Sequence, residues 1–377
     1  MELSARDVEI LIYTPQELNQ SSYFITGLFE LESEAKITCR TKISFNVKKG
    51  TVLVKGDEIK IEKKGRHLKT SFFKVKKKSV GEEVFFAIDA YDLANVFSEK
   101  ALSECKYIFK RNYNKGIADI LMKKYPANIL PLGLTFFVRP NRLHDTWKFF
   151  VGFMAGTIIR SIKIERNIII RLFRACKNGL NEWSVFINTR NIEQYRTFKK
   201  PTENKVIFQT RCFPGDSDDT KQVHKDRNNL ITTLKAGLGD AFMGGFVPDN
   251  ISRDKFHDNL TNLPTDNVGY LNLIKSASIG IYTRGIQNSP AWKMAEYLSL
   301  AKCIVAEPLT AELPVPLEEG KHIMYFKSPE ECVEICRFLL NNSPKMEELS
   351  LNAREYYEEN VDPAVNAERV IKKVING

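Results

Sequence analysis

Residues 277–308 read ASIGIYTRGIQNSPAWKMAEYLSLAKCIVAEP. The run 277–282 is short, continuous and apolar, as expected of a strand buried on both faces of a parallel sheet. Thr283, Arg284 and Gly285 open a loop. Ser289 and Pro290 then place a preferred N-cap residue before a preferred first-turn residue, which predicts a helix over 291–301. A second apolar strand follows at 303–306. Strand, loop, helix and strand make one repeat of a doubly wound α/β sheet, in which ligands bind beyond the carboxyl ends of the strands. A helix N-terminus there favours an anion such as a diphosphate. Ser289, Lys293 and Glu296 share one stripe of the predicted helix. At 1.5 Å per residue Glu296 lies about 10 Å along the axis from Ser289, roughly the offset between a nucleotide's diphosphate and its ribose. Lys293 is then placed to neutralise phosphate and Glu296 to accept hydrogen bonds from ribose hydroxyls. The plainer reading is an i,i+3 surface pair worth a few tenths of a kcal/mol, and spacing alone does not choose between them.

The same alternation runs outward in both directions. Strands are expected at 205–213, 241–247 and 303–306, with helices at 225–238, 270–276 and 329–340. Asp362 and Pro363 signal a last helix through residue 375. Towards the N-terminus, strands are expected at 8–15, 84–89 and 107–110, a loop and strand at 129–137, and helices at 21–32 and 93–105. The polar stretch 188–204, NTRNIEQYRTFKKPTEN, reads as a linker. The expected architecture is therefore α/β, with two Rossmann-like domains and a cleft between them: an acceptor-side domain over 1–187, a ligand-binding domain over 205–345, and C-terminal helices over 346–377 crossing back to the first domain.

A chain of 377 residues with 43% hydrophobic and 27% charged residues suits two globular domains. No apolar run reaches the roughly 20 residues that span a bilayer, and the N-terminal residues lack the basic and small-residue features of a secretory signal. Seven scattered cysteines, an odd number, read as free thiols of a reducing compartment. These features imply a cytoplasmic protein. The net charge of +10 is uneven: Lys48 to Lys78 carry twelve Lys or Arg against Asp57, Glu58 and Glu62. Apolar and basic residues alternate there around Gly56 and Gly65, which predicts β-hairpins with a solvated lysine face. The stretch 141–180, helical and basic with interleaved apolar residues, reads either as a packed helix pair or as an interfacial surface that docks peripherally on an anionic membrane.

The run WKMAEYLSLAKCIVAE resembles the C-terminal domain of group 1-like glycosyltransferases of the GT-B fold, whose shared pattern opens on a glutamate. That resemblance implies transfer of a hexosyl or pentosyl group from a nucleotide-diphosphate sugar to a hydroxyl of a glycan or lipid-linked glycan, with no cofactor and no metal. It places Glu296 on the glutamate that holds the donor ribose. Arg211 resembles the family's basic residue after the domain's first strand, and Lys225 or Arg227 the second one on the next helix, both contacting diphosphate. Arg284, Gly285, Ser289, Trp292 and Lys293 complete the expected donor site. Many retaining members carry a glutamate eight positions before the first; here that position is Asn288. The N-terminal half, through FFAIDAYDL, CKYIFKRNY and PLGL, resembles more loosely the sugar transferases of bacterial surface-polysaccharide clusters and of some large viruses.

For a general base, a carboxylate at a strand's C-terminal end faces the ligand crevice, which nominates Asp89 and, three residues on, Asp92. His144 and His224 read as structural or surface residues. The DxD of Asp216 to Asp219 lies in a Gly/Pro/Asp turn, where aspartates are common for backbone reasons, so no metal is assigned to it. No phosphate-binding loop of the GxxxxGK[ST] or GxGxxG type is present. Two rivals remain: a polyanion-binding α/β protein, which predicts salt-dependent nucleic-acid binding and no response to nucleotide sugars, and a catalytically inactive partner subunit of the same fold. The first is disfavoured, and no nucleic-acid partner is expected.

Overall fold

The structure, a computed structural model, describes residues 3–44, 50–62, 69–161 and 168–377. It divides into two compact units, the first of residues 1–193, 312–314 and 362–377 and the second of residues 194–311 and 315–361.

In the first unit, β1 (Val8–Thr14) passes through α1 (Leu18–Ser33) to β2 (Thr38–Ile43), which pairs parallel to it. Two hairpins follow: β3 (Thr51–Lys55) with β4 (Glu58–Glu62), and β5 (Thr70–Lys77) with β6 (Glu82–Asp89). Next come β7 (Val96–Ser98), α2 (Glu99–Glu104), β8 (Tyr107–Lys110), α3 (Lys115–Met122) and β9 (Asn128–Pro131), then α4 (Trp147–Ser161) and α5 (Ile168–Ile187). The main sheet has the order β2-β1-β5-β6-β8-β9, and only β5 runs against its neighbours. One face packs Phe24, Leu28, Phe73 and Phe86 beneath α1; the other packs Ala87, Ile108 and Ile129 against Leu102 and Leu121.

Three expectations are corrected here. The basic stretch does form hairpins, but Phe73 and Val75 of β5 are buried and Lys74 and Lys76 both pair with Glu83, so its lysine face is partly neutralised. Gly65 and its neighbours at 63–68 lie outside the described residues, as do 45–49. The helix expected over 93–105 begins only at Glu99, because Val96 and Phe97 are drawn into pairing with β3 and Ser98 caps the helix through its hydroxyl. A short α6 (Glu193–Arg196) lies inside the expected linker.

The second unit opens with β10 (Glu203–Thr210), α7 (Asp218–Leu238) and β11 (Phe242–Phe246), followed by α8 (Asn250–Lys255), α9 (Asn267–Ser276) and β12 (Ala277–Tyr282). It continues with α10 (Lys293–Ser299), β13 (Cys303–Ala306), β14 (Met324–Tyr325), α11 (Pro329–Leu340) and α12 (Ser343–Asn360). All five strands are parallel, in the order β11-β10-β12-β13-β14. Numbered within the unit that order is 2-1-3-4-5, so the winding reverses between β10 and β12 and opens a crevice beyond their carboxyl ends. The last helix, α13 (Pro363–Asn376), belongs to the first unit and α12 to the second, so the division falls after Val361, not at 346. α13 meets α1 so closely that a Cβ on Gly27 would stand 2.0 Å from the carbonyl oxygen of Pro363.

Candidate functional site

The residues after β10 and β12 meet at the reversal point. Arg211 follows β10, is exposed, and donates from Nη2 to the carbonyl of Thr265 at 3.3 Å. Arg227 reaches in from α7 and is buried. It donates from Nε to Thr283 Oγ1 at 3.2 Å, from Nη1 to the carbonyl of Arg211 at 3.2 Å, and from Nη2 to that of Arg284 at 3.0 Å. One guanidinium thus ties together the chain leaving the two strands that flank the crevice. Burial lowers its pKa to about 10 although Glu307 opposes the shift. Its plane also covers the ring of Phe213, 4.8 Å from the centroid.

Lys293 stands at the first position of α10, and its Nζ donates to the carbonyl of Gln209, one residue short of the end of β10. Burial and then the repulsion of Arg227 and Arg211 push its pKa down to about 7, with Glu296 acting the other way. Glu296 is buried and accepts a 3.2 Å hydrogen bond from the hydroxyl of fully buried Tyr195 in α6. Arg354 of α12 fixes that corner by donating to the carbonyls of Tyr195 at 2.7 Å, of Arg196 at 2.9 Å, and of Ser299. Arg211, Arg227 and Glu296 all act on the charge of Lys293, so the four are electrostatic neighbours.

Ser289 does not cap a helix. Its Oγ donates to the carbonyl of Ile286 at 2.9 Å, its own carbonyl accepts from Gly285 N at 3.0 Å, and the helix starts three residues after Pro290. The reason lies in the preceding loop, where Gln287 and Asn288 both hold left-handed backbone, φ 58° and 55°, and fold 285–289 into a closed turn. A Cβ on Gly285 would stand 2.9 Å from the Ser289 carbonyl oxygen, a backbone atom the turn holds in place, so a side chain there would have to open the turn. Asparagine tolerates left-handed backbone better than glutamate, a local reason for Asn288 at this position. Trp292 occupies the N-cap of α10 without a side-chain cap bond.

Two acids hold the loop, and neither was assigned to the site from sequence. Asp219, in the first turn of α7, accepts from Arg284 Nη1 at 2.8 Å and from Gln287 N at 2.7 Å. Burial raises its pKa, but these two donors outweigh burial and hold the carboxyl below its ordinary range. Glu307 accepts from Arg284 N at 2.7 Å, and burial raises its pKa. Asp218 and Asp219 belong to a helix that Ser217 caps, seven residues before the expected start, and Asp216 pairs with Lys221 at 3.3 Å. Among the described residues no group of three or more His, Cys, Asp or Glu is arranged to hold a metal ion. Lys225 stands on the exposed side of α7, about 200° around the helix from Arg227, and is not brought to the cluster. His224 is structural: its Nε2 accepts from Phe213 N at 2.8 Å.

In the first unit, Asp89 and Asp92 do not suit the role of base. Asp89 is fully buried, receives Lys110 Nζ at 3.3 Å and Tyr91 N at 2.9 Å, and faces no solvent. Its strand end is covered because β8 places Lys110 directly beside it in register. Asp92 is clasped by both Lys69 and Arg111. Burial raises its pKa, yet the Arg111 and Lys69 charges outweigh burial and lower it, the wrong direction for a base that works near neutrality.

Residues 249–372 match the profile of a glycosyl transferase-like family. Over that segment the match bears out the recognition of a group 1-like glycosyltransferase domain from residues 277–308. A comparison with curated proteins found no match. Among solved structures, the chain is similar to the C-terminal domain of the glycosyl transferase group 1 protein LpcC from Francisella tularensis, at 12% identity over 42% of this chain and 86% of that one, TM-score 0.30. It is also similar to HepE of Anabaena, solved in complex with UDP-glucose, at 11% identity over 72% and 92%, TM-score 0.36. WaaG, a glycosyltransferase of lipopolysaccharide biosynthesis, gives 12% identity over 72% and 91%, TM-score 0.31.

Proposed function

We propose that the second unit binds a nucleotide-diphosphate sugar and that the protein transfers the sugar to a hydroxyl of a glycan or lipid-linked glycan, without a metal ion. The observation that carries this reading is the convergence of Arg211, Arg227 and Lys293 at the β10/β12 reversal, with Lys293 depressed to about 7 by burial and by the two arginines. An anion there relieves that repulsion. In the reaction the acceptor hydroxyl oxygen attacks the anomeric carbon as the bond from that carbon to the donor phosphate oxygen breaks; the electron pair stays on the departing diphosphate, and the hydroxyl proton passes to that diphosphate or to solvent. That is where charge develops and where fixed cations lower the barrier most. Glu296, held by Tyr195, accepts from the ribose hydroxyls.

The test is thermal stability with UDP-, GDP-, dTDP- and CMP-sugars, repeated on Glu296→Ala. One diphosphate class is expected to raise the melting temperature of the natural protein, through preferential binding to the folded state, and to do so much less in the variant. No shift with any nucleotide, or an equal shift in both proteins, overturns the assignment. The inactive-partner reading is favoured by one observation, the enclosure of Asp89 in an ion pair with Lys110. Donor binding with no sugar transfer to any acceptor, and no donor hydrolysis, would select it.

A further inference from the structure

The outer face of α4 and α5 carries a density of exposed apolar side chains that the donor site does not explain. On α5, Ile169, Phe173 and Leu180 are 77%, 70% and 51% exposed and share one stripe by their spacings of four and seven. On α4, Trp147 and Val151, 59% and 55% exposed, form a second stripe. The helices are otherwise well seated. Trp183 packs on Phe150 at 4.8 Å between ring centroids, and Gly179 lies against Met154, so the exposed stripes are not the product of a loose pair.

Among the described residues, the charges on α4 and α5 beside the stripes are predominantly basic. α4 contains no acid, and the only one in α5, Glu182, is turned inward to accept from Leu18 N. Lys148, Arg174 and Lys177 are exposed, and Arg171 lies on the same helix. Asp145, just before α4, contacts His144 Nε2 at 2.7 Å and is outnumbered by these cations. A second copy of the chain using this face would bring like charges together, since a two-fold interface apposes the same patch. An aqueous protein surface also gains little from a solvated row of Trp, Ile, Phe and Leu. An anionic bilayer meets both features, with apolar side chains entering the headgroup boundary and cations meeting lipid phosphates. No described helix is long and apolar enough to cross a membrane, which matches a helix pair lying on one.

We propose that the outer face of α4 and α5 docks on the surface of an anionic phospholipid bilayer. The surface belongs to the first unit and the donor residues to the second, so failure of either assignment leaves the other intact. The experiment is flotation of the full chain with vesicles of phosphatidylcholine alone and of phosphatidylcholine with phosphatidylglycerol. Capture by the anionic vesicles only is expected, falling roughly tenfold or more in Ile169→Glu/Phe173→Glu and in Arg174→Glu/Lys177→Glu, at unchanged melting temperature. Absence of capture, or capture indifferent to both double variants, overturns the proposal. So does self-association in sedimentation that the apolar variant relieves without any vesicle capture, which assigns the face to a second copy. Should a variant lose its fold, brominated acyl chains give a second reading on the natural sequence. Tryptophan quenching that disappears in Trp147→Phe supports docking, and quenching that persists unchanged rejects it.

Discussion

Lys293 carries the sharpest consequence at the scale of a single residue. Its pKa of about 7 sits far below the ordinary lysine value of 10.5, chiefly through burial and then through Arg227. A bound diphosphate favours the charged form, so binding takes up a proton near neutrality. Affinity for a nucleoside diphosphate is accordingly expected to fall as pH rises from 6 to 9. Calorimetry in buffers of different ionisation enthalpy measures the proton uptake, and Lys293→Met is expected to abolish both effects. An affinity independent of pH would place Lys293 outside the site. Tyr195 makes a finer test: Tyr195→Phe removes the 3.2 Å bond to Glu296, and about a tenfold loss of donor affinity is expected while nucleoside-free stability changes little. Glu296 and Lys293 were legible from their spacing and from the family pattern. Tyr195 was not, because it lies in a stretch whose composition reads as linker and its partner is 101 positions away.

At the scale of elements, the second unit was the more readable. β12, β13 and α11 fall at the expected 277–282, 303–306 and 329–340, the last starting behind a Ser–Pro pair. The same Ser–Pro signal misled at Ser289, because two left-handed residues before it close a turn that uses the serine hydroxyl locally. In the first unit, the run at 93–98 was lost to strand pairing with β3, a contact invisible to local periodicity. The crossing of α1 and α13 gives the prediction at this scale. Gly27→Ala places a methyl group 2.0 Å from a backbone oxygen that cannot move alone, so the two helices must separate. A loss of about 2–3 kcal/mol in denaturant unfolding is expected, and a neutral outcome would mean that α13 packs elsewhere.

For the molecule as a whole, two buried lysines set a slope of stability with pH. Lys302 lies fully buried, donates to the carbonyls of Lys275 and Ala277 at 3.1 and 2.6 Å, and is lowered to about 7 by burial, as Lys293 is. For both, the unfolded chain holds its proton up to about pH 10.5 while the folded chain releases it above about 7, so the unfolded state binds more protons in between. Stability therefore rises with pH through that window. Buried thiols such as Cys303, raised to about 12, and Cys105 work in the opposite sense above their ordinary value of 9, so the rise is to be read between pH 7 and 9. Melting temperatures across that range, with a smaller slope in Lys302→Met, check it. A flat profile would show that both lysines stay charged in the folded protein.

By itself the sequence determined the alternation of strands and helices, the N-terminus of the last helix, and the Lys293–Glu296 spacing. Each is a property of neighbours along the chain, set by backbone preference and by apolar runs. Tertiary structure decided what rests on distant pairing. It brought Arg227 into hydrogen bonds with the residues leaving β10 and β12, and it gave Asp219 to the loop after β12. It also sealed Asp89 against Lys110 and seated β5 against the grain of its sheet. The physical reason is the same throughout: a buried charge settles where a counter-charge or carbonyl reaches it, and that partner comes from another element.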